Sequence, residues 1–235
     1  ANAITQFAQG ISMLAIPWYF AKHLDKASLF ALIYALATFF TLFWGLYAGT
    51  LIDNYPRKKI FQLICLISAL VLLSISFSGF ALGYTPPFLV GFVFCFTVFN
   101  YNIHYPTLYA FGQEITERKN YGKTNSLLEI IGQSTNVLSG ATAVLLIEGI
   151  DIPQLNLTIT AWDIHEIFLL DAVTYMFAFF IIGSIKYDPI ERLKITTEPI
   201  LKRLNDGIQF LKSRPVLFHF GNASYTLFIF ELISM

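Results

Sequence analysis

Long apolar runs separated by short polar joints make up almost the whole chain. No Asp, Glu, Lys or Arg occurs in residues 28–52 or 60–113. About 20 apolar residues suffice for a helix to cross a bilayer. The runs that meet this need are Ala1–Ala21, Ser28–Ile52, Ile60–Phe80, Pro87–Gln113, Thr124–Ile147 and Ile164–Ile185, with Pro215–Met235 as most of a seventh. A membrane strand needs only about ten residues and alternates in polarity. The runs do neither, so the pattern predicts an all-α integral membrane protein.

The charges assign an orientation. All but Lys22 and Lys26 of the 15 basic residues follow even-numbered runs: Arg57, Lys58 and Lys59, then Arg118, Lys119 and Lys123, then Lys186 through Arg214. Cytoplasmic loops carry the excess of Lys and Arg. The even loops are therefore expected in the cytoplasm, with the N-terminus on the same side of a cell membrane. The polar stretch 187–214 places Leu201, Leu204, Ile208 and Leu211 at helical spacing, with Lys202, Arg203 and Lys212 between them. That spacing suits an amphipathic helix on the inner membrane surface or, equally, a packed linker helix with a solvated face.

Composition agrees with this class. Hydrophobic residues make up 56% and charged ones 13%, against roughly 45–50% and 25% in soluble domains. Cys65 and Cys95 fall inside apolar runs, where thiols act as small hydrophobes. Neither a Walker loop, a metal-ligand spacing nor a nucleophile elbow is present, so the chain does not read as an enzyme and implies no cofactor, metal or nucleic-acid partner. The first residues lack the charged leader and small-residue cleavage site of a signal peptide, and both ends read as cut.

The joint between the second and third runs carries the most specific signal. Gly49, Leu51, Asp53, Arg57 and Lys58 fit the spacing G-x-L-x-D-x-x-G-R-K, with Asn54 where a basic residue is usual and Pro56 where glycine is usual. This resembles the signature joining spans two and three of major facilitator superfamily transporters. The segments Gly122–Gln133, Phe168–Tyr175 and Gly207–Pro215 resemble the macrolide-efflux and enterobactin-exporter-like branch. The resemblance implies a six-helix N-terminal bundle built as a 3+3 inverted repeat (1–186), a cytoplasmic linker (187–214) and the start of a C-terminal bundle (215–235). It implies secondary transport by alternating access: efflux of hydrophobic or amphipathic small molecules coupled to protons, with the lipid bilayer and a C-terminal half of the same protein as partners. The stretch Gly132–Gly140 lacks the Gly-Pro that such exporters often carry, which keeps an importer open. A half-transporter that only binds a membrane partner is the non-transporting alternative.

Candidate residues follow from this frame. Gly49, Asp53, Arg57 and Lys58 form a gating motif, in which Asp53 faces a helix N-terminus and the two bases pair with Glu114 or Glu117. Gly45 and Gly49 share one face, a spacing that permits close helix approach. Ionisable groups within spans are costly and often functional. Asp171 lies about 10 Å into the sixth span and Glu129 about 7–8 Å into the fifth. Desolvation disfavours a charged carboxylate, so both are proton-coupling candidates. The alternatives are a structural helix-to-helix bond for Asp171 and a headgroup or Lys123 partner for Glu129. Asn100, Asn102 and His104, beside Pro106, and Gln133 and Asn136 on the face of Glu129, are candidates for a substrate cavity; helix-to-helix hydrogen bonding accounts for the first three equally well.

Overall fold

A computed structural model of the chain describes residues 2–152, 157–186 and 200–234. These form two compact units, 1–192 and 193–235. The first contains helices α1 (Asn2–Trp18), α2 (Ala27–Asn54), α3 (Arg57–Leu82), α4 (Pro87–Glu114), α5 (Tyr121–Glu148) and α6 (Ile164–Ser184), with a two-stranded hairpin, β1 (Ile150–Ile152) and β2 (Leu157–Ile159), between the last two. The second holds α7 (Ile200–Ser213) and α8 (Pro215–Ser234). The stretch 187–199 of the expected linker lies outside the described residues.

Among the described residues, five helices are long and apolar enough to cross a membrane, and they correspond to the second to sixth apolar runs. The first run departs from expectation. Its α-helix stops at Trp18 and the chain continues as a π-helical turn, Tyr19–His23. Pro17 lies just before this turn; it has no N–H to donate to the carbonyl four residues back, which loosens the helical ladder there. Pro106, by contrast, sits within a continuous α4.

The hairpin is a short addition to an otherwise helical fold. Ile150 pairs with Ile159, Asp151 with Thr158 and Ile152 with Leu157 in antiparallel register. The β-branched Ile150, Ile152, Thr158 and Ile159 favour extended backbone, and six residues are too few for a periodicity signal beside 20-residue apolar runs. Chain ends are otherwise well marked. Gly83 closes α3 in the left-handed region at φ 73°, where a side chain would be strained. A capping box of Asp163 and Glu166 opens α6, satisfying two otherwise unpaired amide groups.

In the first unit α3 packs along α6, α1 along α5 and α6, and α2 along α4. The sorting of polarity is that of a protein dissolved in lipid. Leu42, Phe43, Phe88 and Val137 are exposed, while Gln6, Ser12, Ser68, Asn100, His104 and Asp171 are buried. Without water to drive association, packing depends on small residues that admit a neighbour. A Cβ at Gly10 would strike the Ser139 side chain across α1 and α5, and one at Gly79 would strike His165 across α3 and α6.

The Gly10 contact yields a measurable prediction. Gly10→Val should destabilise the bundle by about 1–3 kcal/mol through overpacking, and the thermal midpoint in detergent should fall accordingly. Adding Ser139→Gly should recover part of the loss. Equal midpoints for the parent and Gly10→Val would show that the helices do not approach as described.

Candidate functional site

The α2–α3 joint is a clasp. Asn54 ends α2, the Tyr55 amide donates to the Leu51 carbonyl, and Pro56 precedes the first turn of α3. Pro56 is compatible with this place because the first helical amides need no partner within the helix. The turn projects Arg57 toward α4. Its Nη1 donates to the Ala110 carbonyl at 2.7 Å and meets Glu114 Oε1 at 2.7 Å. Glu114 is the more buried partner, with 6% of its side chain exposed against 22% for Arg57, so removal of the guanidinium leaves a poorly solvated carboxylate.

Among the described residues Lys58 pairs with carbonyls rather than with the expected Glu114 or Glu117. Its Nζ donates to the Gly183 and Ile185 carbonyls at 2.9 and 2.6 Å. These belong to the C-terminal end of α6, where carbonyls lack helical donors and the helix dipole favours a cation. Glu117 is bound instead by Lys119 at 2.6 Å, with both side chains exposed. Asp53 lies in the last turn of α2, but its side chain is outside the described residues. Gly45 and Gly49 face open space within the chain.

A second assembly lies inside the bundle. Asp171 is 1% exposed. Its Oδ2 accepts from Ser12 Oγ at 2.8 Å, whereas Oδ1 is buried without a hydrogen-bond partner among the described residues. Tyr101 and Tyr175 lie close enough to interact with it electrostatically. Ser68, close to Tyr175, accepts from Asn100 Nδ2 at 2.8 Å. Polar groups from α1, α3, α4 and α6 thus meet in the core. In a low dielectric such groups interact strongly and are costly when unpaired.

A third assembly joins α1, α4 and α5. His104 Nε2 meets Asn2 Oδ1 at 2.8 Å, Asn2 Nδ2 donates to Gln6 Oε1 at 3.0 Å, and Gln6 Nε2 donates to the Tyr105 hydroxyl at 2.8 Å. Farther along α4, the Tyr109 hydroxyl donates to Glu129 Oε2 at 2.7 Å, and Gln133 Nε2 donates to Glu129 Oε1 at 2.9 Å. Glu129 is exposed within the chain and pairs with these groups rather than with Lys123. The Tyr101 and Tyr105 rings stack with centroids 5.3 Å apart.

The cavity candidates therefore divide. Asn100 and His104 are buried and bonded between helices, and Asn102 Nδ2 donates to the Val98 carbonyl of its own helix. Gln133 and Asn136 remain exposed on α5 beside Glu129. Sequence reasoning overlooked Asn2, Gln6, Tyr105 and Tyr109. A signal existed: Asn2, Thr5, Gln6, Gln9 and Ser12 make a polar stripe at helical spacing, and Tyr101, Tyr105 and Tyr109 repeat every fourth residue.

No curated protein matches the chain closely. The Major Facilitator Superfamily model matches it over residues 1–235, the full sequence. An apolar helical bundle with a polar interior and a basic clasp between its second and third helices agrees with that match. The chain belongs to the Major Facilitator Superfamily and is a multi-pass membrane transporter.

Proposed function

We propose that the chain forms the N-terminal bundle of a proton-coupled exporter of hydrophobic or amphipathic small molecules, working by alternating access in a cell membrane with the basic loops inside. The observation that carries this reading is the buried Asp171 carboxyl, which among the described residues has one donor, Ser12, and a second oxygen unpartnered. No ion pair to Asp171 occurs among the described residues. A lone carboxylate in such a place is costly as an anion and readily held as the acid. Gain and loss of one proton therefore changes the interaction between α1 and α6.

The packing supports an inverted repeat. Exchanging α1 with α4, α2 with α5 and α3 with α6 turns the α1–α5 contact into α4–α2 and the α1–α6 contact into α4–α3, both of which occur, and leaves α3–α6 in place. Repeat-built transporters move one bundle against another around a central site. The seam of exposed Glu129, Gln133 and Asn136 with half-buried Tyr109 is the surface proposed to meet substrate, together with the C-terminal half. Arg57 and Lys58 tie the α2–α3 joint to the ends of α4 and α6, contacts able to favour one conformation over the other.

Import is the second reading. The residues Gly132–Gly140 contain no proline, and α5 runs unbroken from Tyr121 to Glu148, so the kink often found in exporters is absent. Direction of flux in sealed vesicles separates the two: accumulation in inside-out vesicles under an acid interior supports export, and accumulation in right-side-out vesicles supports import.

Asp171→Asn keeps the shape of the side chain and a hydrogen-bonding oxygen for Ser12 while removing the titrating group. In the complete protein it should reduce transport driven by an imposed pH gradient at least about tenfold, equal to about 1.4 kcal/mol, with the fold retained. Undiminished gradient-driven transport would remove Asp171 from the coupling step.

Arg57→Gln should cost the clasp about 1.5–3 kcal/mol, the range for a hydrogen bond to a charged group. Glu114→Gln should reproduce most of that effect, and the double variant should be less than additive. Cysteine accessibility at the two membrane faces should shift in the same direction in both single variants. Parent-like accessibility and transport in Arg57→Gln would leave the basic cluster as an orientation signal only.

A further inference from the structure

The first six apolar runs carry ionisable charge of one sign. Residues 1–21, 28–52, 60–80, 87–113, 124–147 and 164–185 contain neither Lys nor Arg, and their acids are Glu129, Glu166 and Asp171. A charged side chain at membrane depth is costly and is usually paired. Glu166 accepts from the Asp163 amide at 2.8 Å and so belongs to the cap that opens α6. Asp171 is 1% exposed, enclosed where a proton fits and an organic ion does not.

Glu129 differs from both. It is exposed within the chain, and no ion pair to it occurs among the described residues. Two neutral donors fix its position: the Tyr109 hydroxyl on Oε2 from α4 and Gln133 Nε2 on Oε1 from the next turn of α5. Each fills one acceptor site of a group that has about four, and neither cancels the negative charge. The carboxylate is held in the open with acceptor capacity left over.

Its neighbours suit an organic cation. Tyr105 lies close enough to Glu129 to interact electrostatically, and its hydroxyl is tied by Gln6 of α1. The Tyr101 and Tyr105 rings stack with planes 7° apart, and Tyr109 continues the row one turn on. Aromatic faces attract cations and also cover apolar bodies. On α5, Gln133 and exposed Val137 follow Glu129 at four and eight residues, on the same side of the helix. One carboxylate with phenols and an amide falls short of the six to eight oxygens that calcium takes. A negative point, an aromatic row and apolar surface thus lie together, and the same charge repels an anion.

We propose that Glu129 selects the substrate by charge, so that the amphipathic molecules carried are organic cations and amphipathic anions are turned away. This deepens the transport reading and rests on it for the seam being the substrate's path. It gives the two carboxylates separate tasks: Asp171 takes the proton and Glu129 meets the positive head of the substrate.

Tetraphenylphosphonium and tetraphenylborate test the selection, because they share size and shape and carry opposite charge. Equilibrium binding of each, without a pH gradient, is measured on the complete protein in nanodiscs against empty discs. The parent should bind tetraphenylphosphonium saturably and tetraphenylborate at least about tenfold more weakly. Glu129→Gln should weaken tetraphenylphosphonium binding at least about tenfold. Glu129→Lys should reverse the preference toward tetraphenylborate, a result that misfolding does not produce. Three outcomes overturn the proposal: no saturable tetraphenylphosphonium binding, no distinction between the ions by the parent, or parent-like tetraphenylphosphonium affinity in Glu129→Gln. The compensating charge would then come from headgroups or from the C-terminal half. Asp171→Asn separates this from the coupling role. Loss of gradient-driven transport with tetraphenylphosphonium binding retained upholds both. Retained gradient-driven transport removes Asp171 from coupling and leaves the cation site standing.

Discussion

Hydrocarbon offers no hydrogen bonds, and that constraint governs the whole first unit. Each backbone amide and carbonyl in a span must be satisfied within the protein, which enforces helices. Each polar side chain must find a partner or face a watery surface. The core accordingly holds Ser12 on Asp171 and Asn100 on Ser68, while phenylalanine and leucine cover the outside. Where two helices come closest, a glycine gives way: Gly10 to Ser139 and Gly79 to His165. Close packing and internal hydrogen bonding together replace the hydrophobic effect as the source of cohesion.

The same constraint explains why the ends of helices hold so much of the chemistry. A helix end exposes carbonyls or amides that the helix cannot satisfy. Lys58 satisfies the Gly183 and Ile185 carbonyls at one end of α6, and the Asp163–Glu166 box satisfies amides at the other. Lys58 thus serves α6 as a C-terminal cap from a different helix. A change in the angle of the α2–α3 joint strains this cap and the Arg57–Glu114 pair together, since both bases lie on the first turn of α3.

The sequence made the second to sixth helices readable because their apolar runs are longer than any soluble helix requires. Arg57 and Glu114 were readable as partners because opposite charges lay in the same set of loops, and they meet at 2.7 Å. The partner of Lys58 was not readable, since a carbonyl at a helix end has no letter of its own. Nor could hydropathy divide the α4 candidates. Asn100, His104, Tyr105 and Tyr109 lie on a helix that is apolar nearly all round, so the spacing alone does not say which face turns inward. Only the neighbours decide: Ser68 and Asn2 draw Asn100 and His104 into the bundle, and Glu129 draws Tyr109 toward α5. The π-helical turn and the hairpin were hidden because each is too short to set up a period.

Two helices link these separate places. Along α1, the Asn2–Gln6 chain lies near one end, Ser12 in the middle and a small cavity lined by Trp18, Tyr19 and Trp162 at the other. Along α6, His165 lines that cavity, Asp171 follows about 9 Å farther on, and Ile185 reaches Lys58 about 21 Å beyond Asp171 at 1.5 Å per residue. The Ser12–Asp171 hydrogen bond is the point at which these two helices share a buried polar contact. An ionised Asp171 accepts from Ser12 with charge assistance and draws α1 toward α6; the neutral acid accepts more weakly and has a proton of its own to place. In the proposed coupling role, protonation at this position would act on both helices through the one contact.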